Sequence, residues 1–251
     1  MVSATMNAAS SARPKFYVWM AAIFILIAFG GFIPTYWAKM AAGTFGGAPI
    51  LHIHGTLFFT WTLFFFAQTL MVANGRVLDH RNWGIVGVSL ATAMAITVVL
   101  AVINSIKVAE TIGMADQARQ FSIVSLSAVV EFVVIFSLAI YKSNRAETHK
   151  RLMVLATIPL MEAALARVFM TLFAPPGAIG PPPVLVATPP GLTVDLLLVA
   201  GMVYDWRTRG RPHPVYLIGL PVLVVVQIAR VPLSQTDAWM SIAPWVEALT
   251  G

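Results

Sequence analysis

The chain has 251 residues, of which 59% are hydrophobic and only 10% charged, with a mean hydropathy of +0.83 and no cysteine. A soluble domain carries about 25% charged residues, so too little polar surface exists here to coat a globule, and lipid must be the solvent. The missing cysteine excludes disulfides, thiolate metal sites and cysteine nucleophiles, and the net charge of +6 is not a nucleic-acid footprint because its bases sit in short loops between apolar runs.

Residues 1–15 are small and polar and read as a disordered, cytoplasmic N-terminus. Seven apolar runs follow, at 16–37, 49–73, 84–106, 121–141, 151–173, 188–206 and 214–235, each near the roughly 20 residues that a membrane crossing needs. The fold class is therefore all-α: a polytopic membrane bundle of seven helices over 16–235, one helix plus three repeated hairpins. The first run exceeds the apolar core of a signal peptide, about 7–15 residues, and ends in the interfacial residues Pro34, Tyr36 and Trp37. It reads as an uncleaved span. Residues 236–251, with Trp239 and Trp245, read as a tail along the outer interface.

The loops give an orientation. Arg13, Lys15, Arg76, Arg81, Lys142, Arg145, Lys150, Arg151, Arg207, Arg209 and Arg211 flank one set of span ends, against Lys39, Lys107 and Arg119 on the other. The positive-inside rule then predicts a cytoplasmic N-terminus and an outer C-terminus, with lipid as the standing partner.

His52 and His54 open the second run just after Pro49. Two residues apart on a helix, they project about 200° from one another. Either both sit at the interface, or one faces inward as a metal or haem ligand or a proton carrier. In the fifth loop, Pro175, Pro176, Pro181, Pro182 and Pro183 predict a stiff segment. Thr188 as an N-cap, followed by Pro189 and Pro190, predicts a late start for the sixth helix, its outer end short or unwound. That loop is either a rigid surface feature or non-helical backbone lining a cavity.

Arg-x-x-x-His recurs three times between runs, as Arg76…His80, Arg145…His149 and Arg209…His213, and such a spacing is how repeated hairpins show in sequence. The three histidines read as headgroup anchors or, if they converge, as a holder of a metal or haem propionates. Glu131 and Asp195 each precede a loop arginine by 14 residues, while Arg167 and Arg230 follow a loop histidine by 18 and 17. At 1.5 Å per residue these groups lie at about 21 Å and 25–27 Å from their loops. Matched depth and opposite charge predict Glu131–Arg167 and Asp195–Arg230 ion pairs, with Glu162 as the unpaired acid. Buried ionisable groups cost about 2.5–3.5 kcal/mol each, and they persist when paired, when facing a cavity, or both. The pairs either only lock helices together or line an outer-half cavity with Glu162 and one of His52 or His54.

His52, the run Asp79-His80-Arg81-Asn82-Trp83-Gly84 and the run Thr148-His149-Lys150-Arg151-Leu152-Met153 resemble bacterial multi-pass membrane proteins with a histidine near the outer end of one helix and His-Arg-x-x-Gly at the inner start of the next. The pattern is also faintly similar to cytochrome b561-like proteins. That resemblance implies haem held within helices, whereas His80, His149 and His213 stand at helix starts. No phosphate-binding glycine loop, HExxH or desaturase-type histidine box is present, and the seventh run has no lysine for a retinal Schiff base.

Three functions stay open. The first is a membrane protein whose outer cavity, built from Glu131, Glu162, Arg167, Asp195 and Arg230, binds a small ligand, ion or lipid-soluble molecule. The second is a haem- or metal-dependent redox protein using His52 or His54. The third is a structural subunit of a larger membrane complex.

Overall fold

A lipid-embedded chain must satisfy its backbone polar groups within each segment, which leaves the helix as the economical solution for an apolar run. The computed structural model, described over residues 15–247, is an all-α bundle with no strand among those residues. Its elements are α1 (Phe16–Gly31), a π-helical turn (Ile33–Trp37), α2 (Ala38–Ala41), α3 (Pro49–Ala73), α4 (Val77–Glu110), α5 (Ala115–Tyr141), α6 (Ala146–Phe173), a 3-10 turn (Val184–Ala187), α7 (Thr188–Arg209), α8 (Pro214–Leu233) and α9 (Asp237–Glu247). Seven of these stretches are long and apolar enough to cross a membrane, which fits a multi-pass membrane protein. The expected terminal segments 1–14 and 248–251, and the side chain of Trp245, lie outside what is described.

Three helices begin earlier than hydropathy suggests: α4 at Val77, α5 at Ala115 and α6 at Ala146. Their first turns carry Asp79, Asp116 and Glu147. A carboxylate there meets the positive end of the helix dipole, so polar residues that break an apolar run still belong to the helix. Gly210 ends α7 in the left-handed conformation, φ 75°, with its N–H on the Trp206 carbonyl. That glycine cap turns the chain sharply into α8.

The expected start of the sixth span holds in part. Thr188 is the first residue of α7 rather than its cap, and it makes no capping hydrogen bond. Pro189 and Pro190 occupy the opening turn, where a missing N–H removes no helical bond. The stretch before them is a tight 3-10 turn with Val184 and Ala187 buried, not unwound backbone.

Successive helices pack as neighbours from α3 to α8, and α1 returns to lie on α3 and α6. The central helix is α6, which touches α1, α5, α7 and α8. Gly31 permits the α1–α6 contact: a Cβ there would stand 2.4 Å from the Ala164 carbonyl oxygen. Phe24, Trp61, Met94, Phe132 and Ile158 fill the core between these helices. At the bundle end remote from the basic loops, hereafter the distal end, α9 folds back over α4 and α5, and Trp239 Nε1 donates to the Arg119 carbonyl at 3.0 Å.

Candidate functional site

Two polar assemblies occupy the distal half, and they are separate. The first lies between α6, α7 and α8. Arg230, 1% exposed, donates from Nη1 to Glu162 Oε2 at 3.1 Å and from Nη2 to Glu162 Oε1. Its Nη2 also reaches the Ala187 carbonyl at 3.3 Å, tying the 3-10 turn to the pair. Asp195 accepts from Gln227 Nε2 at 3.1 Å. Glu131 shares the electrostatic neighbourhood of Arg230, Glu162 and Asp195, with one carboxylate oxygen buried and unbonded.

Buried ion pairs therefore exist, but with other partners than depth alone suggested. Neither Glu131–Arg167 nor Asp195–Arg230 closes to 4.0 Å, and Glu162 is the paired acid rather than the odd one. Position along the helix does not choose a partner; azimuth does. Glu162 and Arg167, five residues apart, face about 140° away from each other, and it is Glu162 that faces α8.

The second assembly is a cavity of about 630 Å³ among α1, α3, α4, α5 and α6. Its existence follows from small side chains on facing helices: Ala101, Ser105, Ser125, Ala128 and Ala163 leave the interior unfilled. Phe32, Phe58, Phe59 and Trp61 provide apolar walls, and Pro181 of the proline-rich loop touches the rim. Trp61 is fixed by its Nε1 donating to Thr157 Oγ1 at 3.3 Å and by edge-on contacts with Phe132 and Phe136. The polar lining consists of Thr35, Tyr36, Asn104, the serines including Ser122, His54, Lys39 and Arg167, with no carboxylate among the described residues.

Arg167 enters this cavity from α6. Its guanidinium carbon lies 5.9 Å from the centre of the Phe32 ring, and no carboxylate of the described residues comes within 4.0 Å of it. The π-helical turn after Phe32 brings Thr35 and Tyr36 to the same wall. Pro34 in that turn lacks a donor, and Trp37 N–H bonds back five residues to Phe32 O at 3.1 Å, which widens the helix there.

The two outer histidines diverge, as their spacing requires. His54 lines the cavity; its Nδ1 is buried without a partner, and its ring lies 4.4 Å from that of Phe58. His52 turns away to bond Tyr36 Oη through Nδ1 at 2.9 Å and packs edge-on against Phe45. Of the seven residues singled out in sequence, the cavity thus receives Arg167 and His54; Glu162, Asp195 and Arg230 form the separate cluster, Glu131 lies beside it, and His52 stands behind the wall.

A third assembly was not anticipated. At the basic-loop end Arg151, 1% exposed, grips Asp205, 0% exposed, through Nε at 2.8 Å and through Nη2. Arg151 Nη1 also donates to Glu147, which in turn holds Lys150 and Arg209. Asp205 Oδ2, the oxygen that takes Arg151 Nε, also accepts from the His213 backbone N–H at 3.2 Å. In sequence Arg151 stands out only as a loop charge and as part of the run Thr148-His149-Lys150-Arg151-Leu152-Met153. The available signal was Asp205 itself, an acid in the apolar end of a span at the depth of the loop bases.

The loop histidines do not assemble a ligand set. His80 and His149 approach to 6.1 Å between ring centres, His149 Nδ1 is taken by the Ala139 carbonyl at 2.8 Å, and His213 Nδ1 accepts from Val215 N–H at 3.2 Å. Among the described residues no group of three or more His, Asp or Glu is placed to hold a metal ion. No protein-family model, curated protein or solved structure matches the chain. What defines it is the seven-helix membrane bundle, its buried ion pairs and its cavity.

Proposed function

We propose that this protein binds a small lipid-soluble molecule in its distal cavity, and that the distal end faces outward from a bacterial inner membrane. One observation carries the binding reading: a cavity of about 630 Å³ has a mostly apolar wall that includes several aromatic rings, and a few convergent polar groups, Arg167 and His54 among them. Ligand sites commonly have this form, at about 300–1,000 Å³. A bundle whose charges served only to lock helices would pair them off, as Glu162–Arg230 and Arg151–Asp205 do, and would not leave Arg167 facing open space. That contrast favours a ligand-binding role over a purely structural one. Orientation rests on the excess of Arg and Lys at the other end.

The test uses the cysteine-free background. Ser125→Cys places a single thiol on the cavity wall of protein reconstituted in nanodiscs. 1-Dodecanol is expected to slow its reaction with a small maleimide, and Ala128→Phe, which fills the cavity, is expected to abolish that protection. Reaction rates unchanged by dodecanol or any other apolar probe would overturn the proposal.

A further inference from the structure

We infer that the ligand of this cavity is an amphiphilic organic carboxylate, its head held by Arg167 and its apolar body lying along the aromatic wall. The inference rests on the binding role proposed above and adds the ligand's charge and shape.

Charge balance is the first ground. A guanidinium stays protonated under all biological conditions, and a charge at membrane depth is costly unless compensated. Arg230 and Arg151 obey this rule with two-toothed carboxylate partners. Arg167 does not: its guanidinium lies over the Phe32 ring, and among the described residues no Asp or Glu comes within 4.0 Å of it or lines the cavity. Arg151 and Arg230, both buried, are thus answered with carboxylates, while Arg167, exposed toward the cavity, is left for something that enters it.

Geometry is the second ground. The guanidinium fork matches the two oxygens of a carboxylate. A single carboxylate charge balances the one guanidinium at this depth. Lys39 sits on the same lining near the rim and adds to the attraction for anions. His54, with Nδ1 unbonded, and the lining hydroxyls can serve a second polar group on the ligand. The rest of the space is bounded by Phe32, Phe58, Phe59, Trp61 and Phe121, which suits an alkyl chain or a fused ring and would leave a hydrophilic anion poorly solvated.

The opposite charge is disfavoured by the same residues. A quaternary ammonium would meet Arg167 and Lys39 with no carboxylate to offset them. A neutral alcohol of equal length would gain the walls and forgo the fork.

Three probes sharing one tail separate these cases: laurate, 1-dodecanol and dodecyltrimethylammonium, each titrated against the Ser125→Cys protein in neutral-lipid nanodiscs by maleimide protection. The expected order is laurate tightest, by at least about tenfold over dodecanol, the discrimination expected of a charge-assisted hydrogen bond, with the ammonium weakest. Arg167→Gln in the same background is expected to bring laurate down to dodecanol without weakening dodecanol, and Arg167→Lys to restore part of the difference. Equal protection by laurate and dodecanol, or an undiminished laurate preference in Arg167→Gln, overturns the carboxylate assignment and leaves the binding role standing. Failure of all three probes removes the binding role itself. Should Arg167→Gln not fold, the order of the three probes on the unaltered guanidinium decides alone.

Discussion

Arg230 crosses from α8 to hold Glu162 of α6 with both terminal nitrogens, while Asp195 of α7, at comparable depth, is left to the amide of Gln227. The consequence is that Glu162 joins α6 to α8 by a full charge pair, whereas Asp195 joins α7 to α8 by a single hydrogen bond. Glu162→Leu should therefore strand the Arg230 charge and destabilise the fold by about 3–5 kcal/mol. Glu162→Leu combined with Arg230→Met should lie closer to wild type than the single change does. Unfolding in mixed micelles, followed by helical circular dichroism, measures both; a double variant less stable than Glu162→Leu would contradict the pairing.

Asp205 has two dependants, the Arg151 guanidinium and the His213 backbone N–H. Asp205→Ala releases both and is expected to cost more than Glu147→Ala, because Glu147 is half exposed and two of its three partners, Lys150 and Arg209, are solvated. Thermal midpoints of the two variants in one detergent settle the order.

His213 lies between spans and caps α8 by accepting from Val215 N–H, a role only the neutral ring can fill. Burial, aided by the Arg151 and Arg209 charges, lowers its pKa from the ordinary 6.5. Protons then bind the unfolded chain more readily than the folded one. The stability this confers is complete above pH 6.5 and is lost as pH falls through the lowered folded value. His213→Asn keeps a capping acceptor and cannot titrate, so its midpoint should fall less than wild type's between about pH 7 and 5. Parallel acid limbs would exclude His213 as the responsible group.

Adjacent glycines of α1 should behave oppositely. A methyl at Gly31 meets the Ala164 carbonyl oxygen at 2.4 Å, whereas one at Gly30 meets nothing within 4 Å. Gly31→Ala must push α1 off α6, at about 1–3 kcal/mol. Gly30→Ala should be neutral or stabilising by up to about 1 kcal/mol through helix propensity. Equal effects on the unfolding midpoint would show that α1 does not lie this close to α6.

Single cysteines at Ser143 and Arg211 should react with an impermeant maleimide from one face of an oriented membrane, and one at Ala178 from the other. In whole bacterial cells the expected outward-facing site is Ala178. The reverse pattern would invert the orientation while leaving the fold unchanged.

The number and order of the helices were legible because hydropathy over about 20 residues reports directly on the lipid solvent. The placement of Glu131, Glu162, Arg167, Asp195 and Arg230 along their helices was legible too, since rise per residue is fixed. Partner choice was not, because it depends on which neighbour each helix turns toward, and that is set by contacts such as Gly31 on Ala164 that no single segment encodes. Half of the histidine reading was recoverable: two residues of separation forced His52 and His54 apart, but only the packing decided that His54 faces inward. The cavity was invisible because it is made by what Ala101, Ser105, Ser125, Ala128 and Ala163 lack, and small residues in a membrane helix more often signal close packing.

The π-helical turn at Ile33–Trp37 has a consequence for register. A five-residue loop in place of four inserts, in effect, one extra residue into the first span. Everything beyond it is rotated by about 100° relative to an unbroken helix. In the regular phase Thr35 and Tyr36 would point elsewhere around the axis; in the shifted phase they reach the cavity wall, and Tyr36 meets His52. A one-residue deletion at Thr35 would restore the regular phase of everything that follows, so the dial setting of a single turn decides whether the first span supplies polar groups to the void or to the lipid.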